Sequence, residues 1–182
     1  SHLPLVFMLV LTQLSVGANV AAIFLEPAKW LMIIAAIVSA LALGLASLHL
    51  GKPLKAWRSF LGWRKSWFSR EVIVFSMFVP LIGAAILASE KSELFIALKI
   101  TSAVIGILGV ACSAMIYVDT HREFWRASQC FGKFFGTTFL LGASVAVVAQ
   151  AFANSGKNSI GVIFAFLFAA TVVKFGFEQR IA

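Results

Sequence analysis

Residues 48–71 read LHLGKPLKAWRSFLGWRKSWFSRE, a basic and aromatic segment set between two long apolar runs. The segment carries six of the chain's 15 Lys and Arg and three of its five tryptophans, Trp57, Trp63 and Trp67. It opens beside one of three histidines, His49, and closes on a carboxylate, Glu71. Outward from it, on both sides, apolar residues come in uninterrupted blocks. They neither alternate as in a half-buried strand nor repeat as a single stripe with helical period. Of 182 residues, 61% are hydrophobic and 12% charged, whereas soluble domains carry charge on about a quarter of their residues. A bilayer core needs about 20 apolar residues per helical crossing, and several blocks reach or approach that length. The class that follows is all-α integral membrane: a polytopic helical bundle, one transmembrane domain over residues 1–182.

Six crossings are expected: Leu3–Leu25, Trp30–Leu50, Val72–Ser89, Leu94–Tyr117, Phe131–Ala153 and Ile160–Phe175. Glu26-Pro27 breaks the first from the second, Gly51 and Pro53 end the second, and Ser69-Arg70-Glu71 is expected to open the third. Leu3–Leu25 exceeds a signal-peptide core and has no basic stretch before it, so it is expected to be a span. The net charge of +8 resides in short loops, which points to orientation signals and anionic lipid rather than nucleic acid. With alternating crossings, one face holds Lys52, Lys55, Arg58, Arg64, Lys65, Arg70, Arg122, Arg126, Lys133, Lys174 and Arg180. The other holds Lys29, Lys91, Lys99 and Lys157. The positive-inside rule then puts the His49–Glu71 loop and the termini in the cytoplasm; a basic loop docking an acidic partner would give the same bias. Cys112 and Cys130 form no ligand spacing, so they read as packing residues and the chain is not expected to hold an iron–sulfur cluster itself.

His49 is the leading candidate for chemistry. A neutral imidazole can hydrogen-bond a quinone oxygen and change protonation near neutral pH; it would equally suit a helix end solvated by headgroups. Glu71 belongs to the same face. Carboxylates near membrane depth are costly and mark proton or ion paths, with a helix-start carboxylate paired to Arg70 or the helix dipole as the competing reading. Leu54, Trp57, Leu61 and Phe68 fall on one helical stripe bordered by Arg58 and Lys65. That stripe suits an interfacial segment covering a lipid-soluble ring, a docking surface, or a plain surface loop. Tyr117, Asp119, His121, Arg122, Glu123, Trp125 and Arg126 read as a salt-bridged turn, a partner contact, or a second pocket wall. Gln13, Asn19 and Gln150 are expected to hydrogen-bond between helices. Small residues at Ala18–Ala22, Ala40–Ala46, Gly83–Ala85 and Gly142–Ala146 are expected to let backbones approach closely. A haem between His49 and His121 is disfavoured, because bundle haems take ligands from within helices. The rival functional classes are a small transporter, disfavoured because polar groups are few at mid-membrane, and a non-redox structural anchor.

The quoted stretch at 48–71 resembles the signature of the dimethyl sulfoxide reductase membrane-anchor family, which is related to the polysulfide reductase membrane subunits. LPLVFMLVLTQLSVGA at 3–18 is similar to that family's first helix, and MIYVDTHREFW at 115–125 to the segment after its fourth. The resemblance implies an anchor in the bacterial inner membrane that oxidises menaquinol. It would pass the electrons to an iron–sulfur subunit, which feeds a molybdopterin catalytic subunit. In the family, the histidine of the LHLG motif and the glutamate closing the loop are associated with quinol binding and oxidation; they match His49 and Glu71. Trp57, Arg58 and Arg64 are then expected to frame the quinol pocket and the partner dock. No metal site is expected in this chain. Family anchors usually have about eight helices, so two beyond the six above are expected, and the terminal acceptor (a sulfoxide, an N-oxide or another small oxo-compound) is not legible.

Overall fold

Helices of 21 to 27 residues dominate the structure, a computed structural model that describes residues 3–49, 62–120 and 126–153. They are α1 (Leu3–Phe24), α2 (Ala28–His49), α3 (Trp67–Leu87), α4 (Glu93–Val118) and α5 (Ala127–Ala153), with no strand among the described residues. At about 1.5 Å per residue even the shortest is about 30 Å long, the thickness of a bilayer's hydrocarbon core. All five are long and apolar enough to cross a membrane, so the chain is a multi-pass helical membrane protein. The expected crossing at Ile160–Phe175 lies outside the described residues.

Two helix starts differ from expectation. α3 begins at Trp67, after the N-cap Ser66, five residues before Val72. Ser69-Arg70-Glu71 therefore lies inside the helix and does not open it. Trp67 and Arg70 each pair an apolar body with a polar group, which suits the membrane edge, and Phe68 is apolar throughout, so a helix can run on through them. α5 likewise starts at Ala127, four residues before Phe131.

The links Leu25–Pro27 and Ala88–Ser92 are short, so α1 with α2 and α3 with α4 are antiparallel neighbours. α1 packs on α2, α4 and α5, and α3 packs on α4 and α2. Lipid tails are as apolar as leucine, so helices in a membrane associate through close packing and hydrogen bonds. Both are present. Between α1 and α5 the backbones touch at Gly17 and Gly142: a Cβ on Gly17 would fall on the backbone of Thr138 and Gly142. Between α3 and α4, the ring of Phe75 lies against Gly109 and that of Phe78 against Gly106. Ser15 Oγ donates to the Ala35 carbonyl at 2.7 Å and lies 2.5 Å from Ser39 Oγ, tying α1 to α2. Asn19 Nδ2 donates to Ser102 Oγ at 2.9 Å, tying α1 to α4, and the Gln150 amide donates to the Glu26 carbonyl. The inter-helix bond expected of Asn19 is thus observed, whereas Gln150 bonds to the link between α1 and α2; Gln13 is buried.

Candidate functional site

Glu71 sits one turn inside α3, and its side chain is turned into the bundle, 5% exposed. The helical period explains this. Residues i, i+4 and i+7 share one face, and Glu71, Phe75 and Phe78 are such a set, all three buried. The facing set on antiparallel α4 is Ser113, Gly109 and Gly106, also buried. Two aromatic rings of α3 therefore meet two glycines of α4, and the third pair is a carboxyl group and a hydroxyl. Ser113 Oγ lies in hydrogen-bond contact with Glu71 Oε1 and 3.1 Å from the Gly109 carbonyl oxygen.

Arg70, the next residue back, is committed elsewhere. Its Nε donates to the Trp63 carbonyl at 2.9 Å, its Nη2 donates to the Arg64 carbonyl at 3.2 Å, and its guanidinium stacks 4.2 Å from the Trp67 ring. The first turn of α3 holds no acidic residue. Neither alternative for Glu71, pairing with Arg70 or a helix-start position, describes what it does. It is a buried carboxyl bonded to a neutral hydroxyl inside a membrane-length helix.

The other expected site residues divide. His49 is the last residue of α2, which packs on α3 and ends where the loop to α3 begins. Its side chain lies outside the described residues, as do Trp57 and Arg58. Arg64 is exposed in the turn Gly62–Lys65, which is closed by Lys65 N–H and Ser66 N–H on the Gly62 carbonyl at 2.9 and 3.0 Å. Its guanidinium stacks 5.2 Å from the Trp63 ring, at the surface and apart from the Glu71–Ser113 contact. In the second cluster, Tyr117 follows Ser113 by one turn and packs its ring 5.3 Å from that of Phe134 on α5. His121, Arg122, Glu123 and Trp125 lie outside the described residues. Cys112 and Cys130 are free thiols, half-buried and buried. Sequence reasoning missed Ser113. The signal was the row Ser102, Gly106, Gly109, Ser113, spaced to make one small-residue face of α4.

The arrangement can take up a proton and hold it away from water. A carboxyl group exists with or without its proton, and the hydroxyl beside it can donate to one form and accept from the other.

Residues 1–177 match the family model described as DMSO reductase anchor subunit (DmsC). A sulfite dehydrogenase subunit of Allochromatium vinosum is 30% identical over 165 residues, covering 82% of this chain and 50% of that protein. The chain thus spans about half the length of this curated relative. No solved structure matches. Five membrane-length helices among the described residues and a family match that runs nearly end to end lead to one conclusion: the chain belongs to the DMSO reductase anchor subunit family, whose members are membrane anchors of oxidoreductase complexes.

Proposed function

We propose that this chain oxidises a membrane-borne quinol, menaquinol in the first instance, at the bundle end where α2 stops and α3 starts. Quinol oxidation frees two electrons and two protons. The electrons pass to an iron–sulfur partner subunit and on to a molybdopterin subunit that reduces a terminal acceptor such as dimethyl sulfoxide. The protons need acceptors within the membrane's edge. His49 bonds one quinol oxygen and takes or relays its proton, and Glu71 is the second acceptor or the exit relay. Trp57, Arg58 and Arg64 frame the mouth of the pocket and the partner dock. The setting is a bacterial inner membrane, with the His49–Glu71 loop on the cytoplasmic side.

Glu71 carries the proposal. Burying an ionisable group inside a spanning helix is costly and rarely persists without a proton or ion to handle, and a structural tether needs no carboxyl there. The family match supplies the redox context.

A second reading comes from the relative named as a sulfite dehydrogenase subunit. A dehydrogenase takes electrons from its substrate, so in such a complex they would run into the membrane and reduce a quinone. The same residues then work in reverse, with Glu71 giving up a proton to the reduced ring.

The test uses the assembled complex with His49→Arg and Glu71→Gln. Quinol-driven turnover is expected to be lost, while turnover from an artificial donor to the partner subunits is retained. Equal loss in both assays would mean failed assembly and would overturn the pocket; full retention in both would leave a structural anchor. Supplying quinone together with a substrate that the catalytic subunit oxidises decides the direction.

A further inference from the structure

Ser113 is 2% exposed and has one proton to offer, yet its oxygen faces two acceptors. One is Glu71 Oε1; the other, at 3.1 Å, is the Gly109 carbonyl one turn back on its own helix. A serine hydroxyl has one donor and two acceptor lone pairs, and its hydrogen turns freely about the Cβ–Oγ bond. When Glu71 is a carboxylate it can only accept, so the Ser113 O–H must point at Oε1. When Glu71 is protonated its own O–H can donate to Ser113 Oγ, and the Ser113 hydrogen swings to the Gly109 carbonyl. Both states are then satisfied without any heavy atom moving.

The surroundings hold this geometry. The Phe75 ring occupies the space beside Gly109 that a Cβ would need, which seats α3 against α4 one turn from the pair. Arg70 is engaged with the Trp63 and Arg64 carbonyls. A buried polar group left without a partner is expensive, so a carboxyl that cycles between charged and neutral forms in this place needs a neighbour that serves both.

We propose that Ser113 is the positioning residue of the Glu71 proton site, a hydroxyl that reverses its hydrogen bond each time Glu71 gains or loses a proton. This rests on the reading of Glu71 as a proton acceptor in quinol oxidation. In that step one quinol O–H bond breaks and one O–H bond forms on the Glu71 carboxylate. The electrons leave for the iron–sulfur acceptor of the partner subunit. The switch at Ser113 breaks no covalent bond; it changes only which oxygen its hydrogen faces.

The experiment compares Ser113→Ala, Ser113→Thr and Glu71→Gln in the assembled complex. Infrared difference spectra between the quinol-reduced and oxidised complex report the carbonyl stretch of protonated Glu71, assigned as the band missing in Glu71→Gln. In Ser113→Ala that band should move to the frequency of a carboxylic acid without a hydrogen-bond partner. Quinol-driven kcat should fall about tenfold or more, the effect of losing one hydrogen bond to a charged group, with KM within about twofold. Ser113→Thr, which keeps the hydroxyl, should restore both. An unmoved band with unchanged kcat in Ser113→Ala would overturn the proposal. So would equal damage from Ala and Thr, which would make Ser113 a packing residue. If Glu71→Gln keeps quinol turnover, the quinol reading fails by itself, and the band position in Ser113→Ala still decides the switch.

Discussion

Replacing Gly17 by alanine tests the packing on which the bundle depends. The added Cβ would stand 2.8 Å from Cα and N of Gly142, and closer still to the Thr138 carbonyl oxygen. Non-bonded carbons rest at about 3.5–4.0 Å, so α1 and α5 would have to part by about 1 Å along their seam. The obstructing atoms are backbone, and no side chain can swing aside to relieve them. Overpacking of this kind costs about 1–3 kcal/mol, which lowers the folded-to-unfolded ratio about 5- to 150-fold. Gly142→Ala attacks the same seam and should cost a similar amount. The fold supplies its own controls in Gly44 and Gly83, where nothing lies within 4 Å of the added atom. There alanine should be neutral or stabilising by up to about 1 kcal/mol, because glycine in a helix interior is disfavoured by about that much. Reversible unfolding of the four variants in mixed detergent micelles, followed by circular dichroism, gives the comparison. If Gly17→Ala and Gly142→Ala are as stable as Gly44→Ala and Gly83→Ala, the close approach of α1 and α5 is refuted.

Three further outcomes are expected. A double-mutant cycle on Asn19→Ala and Ser102→Ala should give a coupling of about 0.6 kcal/mol, the usual size for a hydrogen bond between membrane helices; zero coupling would mean that the bond does not form. Phe78→Ala, at a fully buried ring lying on Gly106, should destabilise by about 3–5 kcal/mol. Phe7→Ala, at a side chain 58% exposed on the outer surface, should cost under about 1 kcal/mol in the same assay. Arg70→Ala should raise hydrogen exchange across residues 62–66 by freeing the Trp63 and Arg64 carbonyls, with under about 1 kcal/mol of stability lost. Arg70→Lys should not restore protection, since a single ammonium lacks the fork that reaches both carbonyls.

The five described spans were legible in the sequence because length and apolarity alone define a crossing, and four of their helix starts fell within four residues of where hydropathy put them. The fifth, α3, was misplaced because Trp67 and Arg70 read as polar on a scale that takes no account of snorkelling, which hides the apolar Phe68 between them. Small residues were visible as a class, but which of them pack was not. Gly142 and Ala146 lie in a seam, whereas Gly83, of the same appearance in sequence, faces open space. The decisive glycines of α4, Gly106 and Gly109, did not stand out, because their importance comes from two phenylalanines on another helix. Glu71 stood out in the sequence as the carboxylate that closes the basic segment at the start of an apolar run. Ser113, 42 positions away, was not: a serine in a membrane helix has ordinary uses, and only the register of α3 on α4 shows which one this serine serves.

That register also fixes how deep in the bundle the Glu71 carboxyl lies. Phe75 and Phe78 act as two dowels in two sockets, and they gauge how deep the carboxyl sits. A slip by one turn would carry it about 5.4 Å along the membrane normal, either up among headgroups or down into oil. The depth of the carboxyl group is thereby stored in two hydrocarbon rings on its own helix. Filling either socket, as Gly106→Ala or Gly109→Ala would, leaves every polar atom of the site intact and still shifts its depth.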